Sequence, residues 1–145
     1  IYMKKRPVLV CVTAQSSCDV LIEKGRAVAE KLGAPLEVVS VQPVDMTAQQ
    51  RADALDTLYA ISKKSAADIV VYYNDNPAET VALHAKWSKA CHIITGLPRS
   101  SSNGFAHKLE AMLTGIPVIS VDENYVFSEP EAKVIGKKSA AAAEA

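Results

Sequence analysis

Short apolar runs alternate along this chain with longer stretches in which apolar positions recur at helical spacing. Pro7-Val8-Leu9-Val10-Cys11-Val12 is nearly continuous in apolar character, as expected of a strand buried on both faces of a parallel sheet. The next segment places Leu21, Val28 and Leu32 on one helical face, with Glu23, Lys24, Arg26, Glu30 and Lys31 largely elsewhere. Gly33 at the C-cap and Pro35 beyond it end that helix. Leu36 to Val41 reads as a second strand, closed by Pro43. Thr47 and Gln50 form a capping box that opens a helix running to about Ala66. Its expected buried stripe is Ala48, Ala52, Leu55, Leu58 or Tyr59, and Ser62.

Ile69-Val70-Val71-Tyr72-Tyr73 is the third strand. Asn76 at the cap, Pro77 at the first helical position and Glu79 in the first turn then favour a helix ending near Ala90. His92 to Thr95 is a fourth strand. A polar loop from Gly96 to Asn103 leads into a helix carrying Phe105, Leu109, Met112 and Leu113, and Pro117 to Val121 is a fifth strand. Strands and helices in strict alternation with short connections predict a Rossmann-like, three-layer α/β sandwich around a parallel sheet with right-handed crossovers. After Asp122 the pattern stops, and Tyr125-Val126-Phe127 and Lys133-Val134-Ile135 remain as short edge-strand candidates before an Ala-rich end. The expected organisation is an extension over 1–6, one domain over 7–122 and a tail over 123–145.

Composition narrows the class. The chain has 145 residues, room for one core, and is 49% hydrophobic and 22% charged, an ordinary globular balance. Sixteen basic side chains offset sixteen acidic ones, which argues against nucleic-acid and membrane-surface partners. No apolar run approaches the ~18–20 residues that span a bilayer. Three cysteines without CxxC spacing point to a reducing, cytoplasmic setting.

In an open parallel sheet the ligand crevice lies beyond the C-terminal strand ends, where the winding reverses. For a sheet wound outward twice from its middle, the loops after the first and fourth strands flank it. Thr13, Gln15, Ser16 and Ser17 would line one wall; Gly96, Arg99, Ser100, Ser101, Ser102 and Asn103 would line the other. The backbone near Val41 would face a base. Both loops feed helix N-termini, whose open N–H groups favour an anion. Helix capping and turn formation account for the same residue types, and both readings stand at this point.

Strict catalytic patterns are missing: there is no GxxxxGK[ST] loop and no GxGxxG turn after the first strand. Cys91 and His92 are adjacent, so on a strand they face opposite ways and make no nucleophile–base pair. Cys11 reads as a small core residue, and Cys18 as an ordinary helix-start residue rather than an activated thiol. His84 and His107 lack metal-ligand spacing, leaving core packing or exposure. Trp87 lies off its helix's main stripe, either as a contact surface or as a partly buried core residue. No enzyme is expected.

The run from Val8 to Ser17, followed by Leu21-Ile22-Glu23-Lys24-Gly25-Arg26-Ala27-Val28-Ala29-Glu30-Lys31-Leu32-Gly33-Ala34-Pro35-Leu36, resembles the universal stress protein superfamily. Within it, the run is most similar to the cytoplasmic module of potassium- and turgor-sensing histidine kinases. The resemblance spans about residues 7–121 and is densest over the first forty. It implies strand order 3-2-1-4-5, a homodimer through the fifth strand and tail, and a regulatory role with ATP, AMP or a cyclic dinucleotide as ligand. ATP-binding members carry Asp at the end of the first strand and Gly-x2-Gly-x9-Gly-Ser/Thr after the fourth. Here Thr13 stands at the Asp position, Gly96 matches the first glycine, and Arg99, Leu109 and Glu110 occupy the later positions. Two other functions fit the same fold: a ligand-free protein–protein module, and a slow phosphate-transferring enzyme for which Asp19 and Asp122 are the nearby carboxylates.

Overall fold

The computed structural model describes residues 6–12, 18–96, 104–121 and 127–128. Its strands are β1 (Val8–Cys11), β2 (Leu36–Gln42), β3 (Asp68–Tyr73), β4 (His92–Gly96), β5 (Val118–Val121) and β6 (Phe127–Ser128). Between them run α1 (Cys18–Leu32), α2 (Ala48–Lys64), α3 (Pro77–Ser88) and α4 (Phe105–Met112). The sheet order is β3-β2-β1-β4-β5-β6. The first five strands are all parallel, in the expected order 3-2-1-4-5, with helices on both faces. β6 adds to β5 antiparallel, Val121 opposite Phe127. The edge-strand expectation holds at Phe127; Tyr125, Val126 and Lys133 to Ile135 lie outside the described residues.

Two apolar layers sandwich the sheet because neighbouring residues of each strand point to opposite faces. Val8, Val10, Val38 and Ile94 pack with Ile22, Ala29 and Leu58 under α1 and α2. Leu9, Cys11, Val39 and Ile93 pack with Val81, Ala85 and Leu109 under α3 and α4. β1 is wholly buried, as its unbroken apolar run requires.

The helical faces differ from the pattern reading. In α1 the buried side is Ile22, Gly25 and Ala29, while Leu32 is exposed at the C-terminal end. Gly25 is what allows this: a Cβ there would sit 2.2 Å from Val10 Cγ2, so the helix backbone rests directly on β1. In α2 the buried residues are Ala54, Leu58 and Ser62; Ala48, Ala52, Leu55 and Tyr59 face outward. Ser62 Oγ donates to the Ala67 carbonyl at 2.6 Å, which satisfies a hydroxyl the core could not otherwise hold. The Thr47 capping box is present in full, with Gln50 N donating to Thr47 Oγ1 and Thr47 N to Gln50 Oε1. Asn76 occupies the cap of α3 but bonds no helix N–H through its side chain; its own N–H donates to Asn74 Oδ1 at 2.7 Å. Trp87 is 75% exposed on α3, which overturns its reading as a partly buried core residue.

Candidate functional site

The reversal of winding falls between β1 and β4. β1 lies between β2 and β4 in parallel register, with Cys11 opposite both Val39 and Thr95. From β1 the chain proceeds through α1 to β2 on one side, and from β3 through α3 to β4 on the other. α1, which follows β1, packs on one face of the sheet and α4, which follows β4, on the other, the arrangement that marks the ligand crevice in open parallel sheets. Val12 closes the end of β1 by donating its N–H to the Val39 carbonyl at 2.9 Å.

Gly96 ends β4 opposite Val121 and is half-buried, with Leu21 Cδ1 3.4 Å from where a Cβ would stand. Leu21 leaves ordinary contact room there. Val41 is half-buried near the C-terminal end of β2, and its side chain packs against the core under α3 and α4. Thr13, Gln15, Ser16, Ser17, Arg99, Ser100, Ser101, Ser102 and Asn103 lie outside the described residues, as does Asp122. The strand ends from which the two predicted walls depart are adjacent.

Three further features went unread in the sequence, the first two of them at this end of the sheet. Ser40 and Gln42 are buried at the end of β2, Gln42 Nε2 donating to Ser40 Oγ at 3.2 Å. Gln42 Oε1 is buried without a hydrogen-bond partner among the described residues, a state that native interiors rarely tolerate. The signal was available: polar Ser40 and Gln42 alternate with Val39 and Val41, which marks one strand face turning polar toward its C-terminus. At the same end of the sheet, a groove of about 500 Å³ runs between the N-termini of α3 and α4. It carries Asp75 and Glu79 on one side and Lys108 on the other, and Gly104 caps α4 without any side-chain bond to its first turn.

The third feature is a buried polar chain on the α3 face of the sheet. His84 Nε2 lies 2.8 Å from Glu37 Oε1, and His84 Nδ1 lies 2.7 Å from the Tyr72 hydroxyl. A carboxylate accepts, so Nε2 is the donor to Glu37, and Nδ1 shares the second bond with the Tyr72 hydroxyl. The Trp87 ring stands tilted beside the imidazole, centroids 5.9 Å apart. Each polar end of the imidazole is used inside the fold, so this group ties α3 to β2 and β3. His84 thus takes the core-packing reading, as a hydrogen-bonded polar bridge.

The thiols of Cys11 and Cys91 are quiet. Burial pushes the Cys11 thiol up to about 12, far from thiolate chemistry at neutral pH. Cys91 is also raised, chiefly by burial, and its Sγ faces the Pro7 carbonyl at 3.4 Å. Among the described residues no group of three or more His, Cys, Asp or Glu side chains is placed to hold a metal ion. Nor is any described helix long and apolar enough to cross a membrane.

The architecture is that of the universal stress proteins. A universal stress protein from Archaeoglobus fulgidus superposes with a TM-score of 0.67 over 81% of this chain and 94% of that one, at 20% identity. A structure of the universal stress protein from Archaeoglobus fulgidus in complex with dAMP gives 0.65 over 81% and 98%, also at 20% identity. A universal stress protein in complex with cAMP gives 0.62 over 83% and 98%, at 16% identity. At these identities the likeness is one of fold. No protein-family model and no curated protein matches the sequence.

Proposed function

We propose that this chain is a non-enzymatic regulatory domain of universal-stress type. It binds a nucleotide or a related phosphate-bearing ligand in the crevice beyond β1 and β4. The observation that carries the reading is the register of Cys11 against Thr95, which sets the two strand ends side by side where the winding reverses. Proteins of the same fold that hold dAMP and cAMP support it. The hydroxyl-rich segment from Thr13 to Ser17 and the segment from Gly96 to Asn103, with Arg99, supply donors suited to phosphate. The density of likeness over the first forty residues favours a signalling module of the kind found in potassium- and turgor-sensing histidine kinases, acting in the cytoplasm. Binding acts on signalling only by favouring one arrangement of the domain over another.

Thermal unfolding against ATP, AMP, cyclic dinucleotides and inorganic phosphate tests the proposal. A ligand at 100 times its dissociation constant adds about 2.7 kcal/mol of stability, readily seen as a raised Tm. Arg99→Ala should reduce that shift. A Tm unmoved by every member of the panel would refute the nucleotide reading and favour a ligand-free interaction module.

A further inference from the structure

β6 pairs with only part of the outer edge of β5. Phe127 lies opposite Val121 and Ser128 opposite Ser120, and the described ladder ends there. Ile93 N donates to the Pro117 carbonyl, so by alternation Val118 and Ser120 turn their backbone groups away from β4, toward the outer edge. Counting on from Ser128 in the same register sets Pro130 opposite Val118. Proline has no N–H to offer the Val118 carbonyl, so the ladder breaks at that position. A chain that follows this register leaves the strand edge beside Val118.

Val118 is also one wall of a groove of about 270 Å³ between the last turn of α4 and the start of β5. Leu113, Ile116 and Val118 make that groove apolar, and Glu110 is the one charged residue on its lining. It lies at the end of β5 away from the candidate crevice. Its volume falls below the ~300–1,000 Å³ of ordinary small-molecule sites, which favours a pair of side chains as its occupant.

We infer that this groove is the docking site of the chain's own tail, with Val134 and Ile135 as the anchor. They are the only large apolar residues after Phe127. Four residues separate Val134 from Pro130, up to about 13 Å of extended chain, enough to carry the anchor from the edge of β5 to α4. The charges agree with that placement. Lys133 precedes the anchor, and Lys137 and Lys138 follow it, so the anchor brings basic residues to Glu110. Glu129 and Glu131 fall before the anchor, on the approach along the strand edge.

β6 and the docked tail together close the outer edge of β5. An uncovered edge invites pairing with foreign strands, and chain laid across it is one of the usual protections. The proline supplies the change of direction: it ends the ladder at Val118, where the groove begins.

Methyl NOEs in the intact chain test the inference. Ile135 should show NOEs to Leu113 and Val118, and a sample mixing labelled with unlabelled chains should show that they arise within one chain. Trypsin gives an independent measure of occupancy. Cleavage after Lys133 should run at least about tenfold faster in Ile135→Asp than in the wild type, the ratio that corresponds to about 1.4 kcal/mol of lost docking. Chemical shifts of β1 and β4, remote from the groove, show whether the variant keeps the fold. Absent NOEs, equal cleavage rates in the wild type and the folded variant, or NOEs that arise between chains would each overturn the inference.

Discussion

Glu37 and His84 are 47 residues apart in sequence and 2.8 Å apart in space, a carboxylate on β2 meeting an imidazole on α3. The contact continues to Tyr72 on β3, so one polar chain joins two strands and a helix beneath Trp87. Tyr72→Phe should cost about 1 kcal/mol, the usual net worth of one such bond. Glu37→Ala should cost more, about 1–3 kcal/mol, because it leaves a buried ring N–H without an acceptor. Urea unfolding of both variants ranks the two, and equal costs would contradict the proposed bonding. The ¹⁵N shifts of His84 should report a proton on Nε2.

Gly25 gives a second prediction. Alanine normally improves a helix interior by up to about 1 kcal/mol over glycine. Here its Cβ would meet Val10 Cγ2 at 2.2 Å and Leu36 Cδ1 at 3.2 Å, and Val10 and Leu36 are both buried. The clash wins, so Gly25→Ala should lower stability by about 1–3 kcal/mol, as overpacking generally does. A more stable variant in denaturant titration would show that α1 can lift from β1 freely.

The thiols predict a pH dependence. Cys11 titrates at about 12 in the fold against an ordinary value of 9.0. The unfolded chain therefore releases its proton first as pH rises. The corresponding stability is complete below pH 9 and lost between about 9 and 12, at up to about 1.4 kcal/mol per pH unit. Cys11→Ala should flatten that part of the stability profile. Iodoacetamide at pH 8 should modify Cys91 in the folded protein and reach Cys11 only on unfolding.

The capping box at the start of α2 gives a local control. Thr47→Ala removes the acceptor for Gln50 N and should cost about 1 kcal/mol. The loss should show in the unfolding midpoint without altering nucleotide response.

Strand order and element boundaries were largely readable, because an apolar run such as Val8 to Val12 admits few structures, and the glycine and proline stops are local chemistry. Helix faces were harder to read. Leu32, Leu55 and Tyr59 are apolar and correctly spaced, yet they face outward, while small residues (Gly25, Ala29 and Ala54) take the sheet-facing positions. Close helix–sheet approach selects for small size, which a hydrophobicity pattern registers poorly. The Glu37–His84–Tyr72 chain was unreadable for another reason: it depends on the register of β2 against β3 and on how α3 lies across them. As for the candidate crevice, the sequence indicated where its walls leave the sheet. It did not reveal the buried Ser40–Gln42 pair at the end of β2.

The central place of β1 shapes how the chain comes together as it is made. Its β2 flank is available once residues 36–42 have emerged, but its other flank waits for residues 92–96. None of the first five strands meets its neighbour through a hairpin, so each pairing must close a loop through an intervening helix. On the ribosome, a nascent chain ending near Ser88 holds one bare side of its most apolar strand exposed to water. Synthesis of β4 is the step that covers it, and until then that side is the natural point of capture for a chaperone or for a wrong strand.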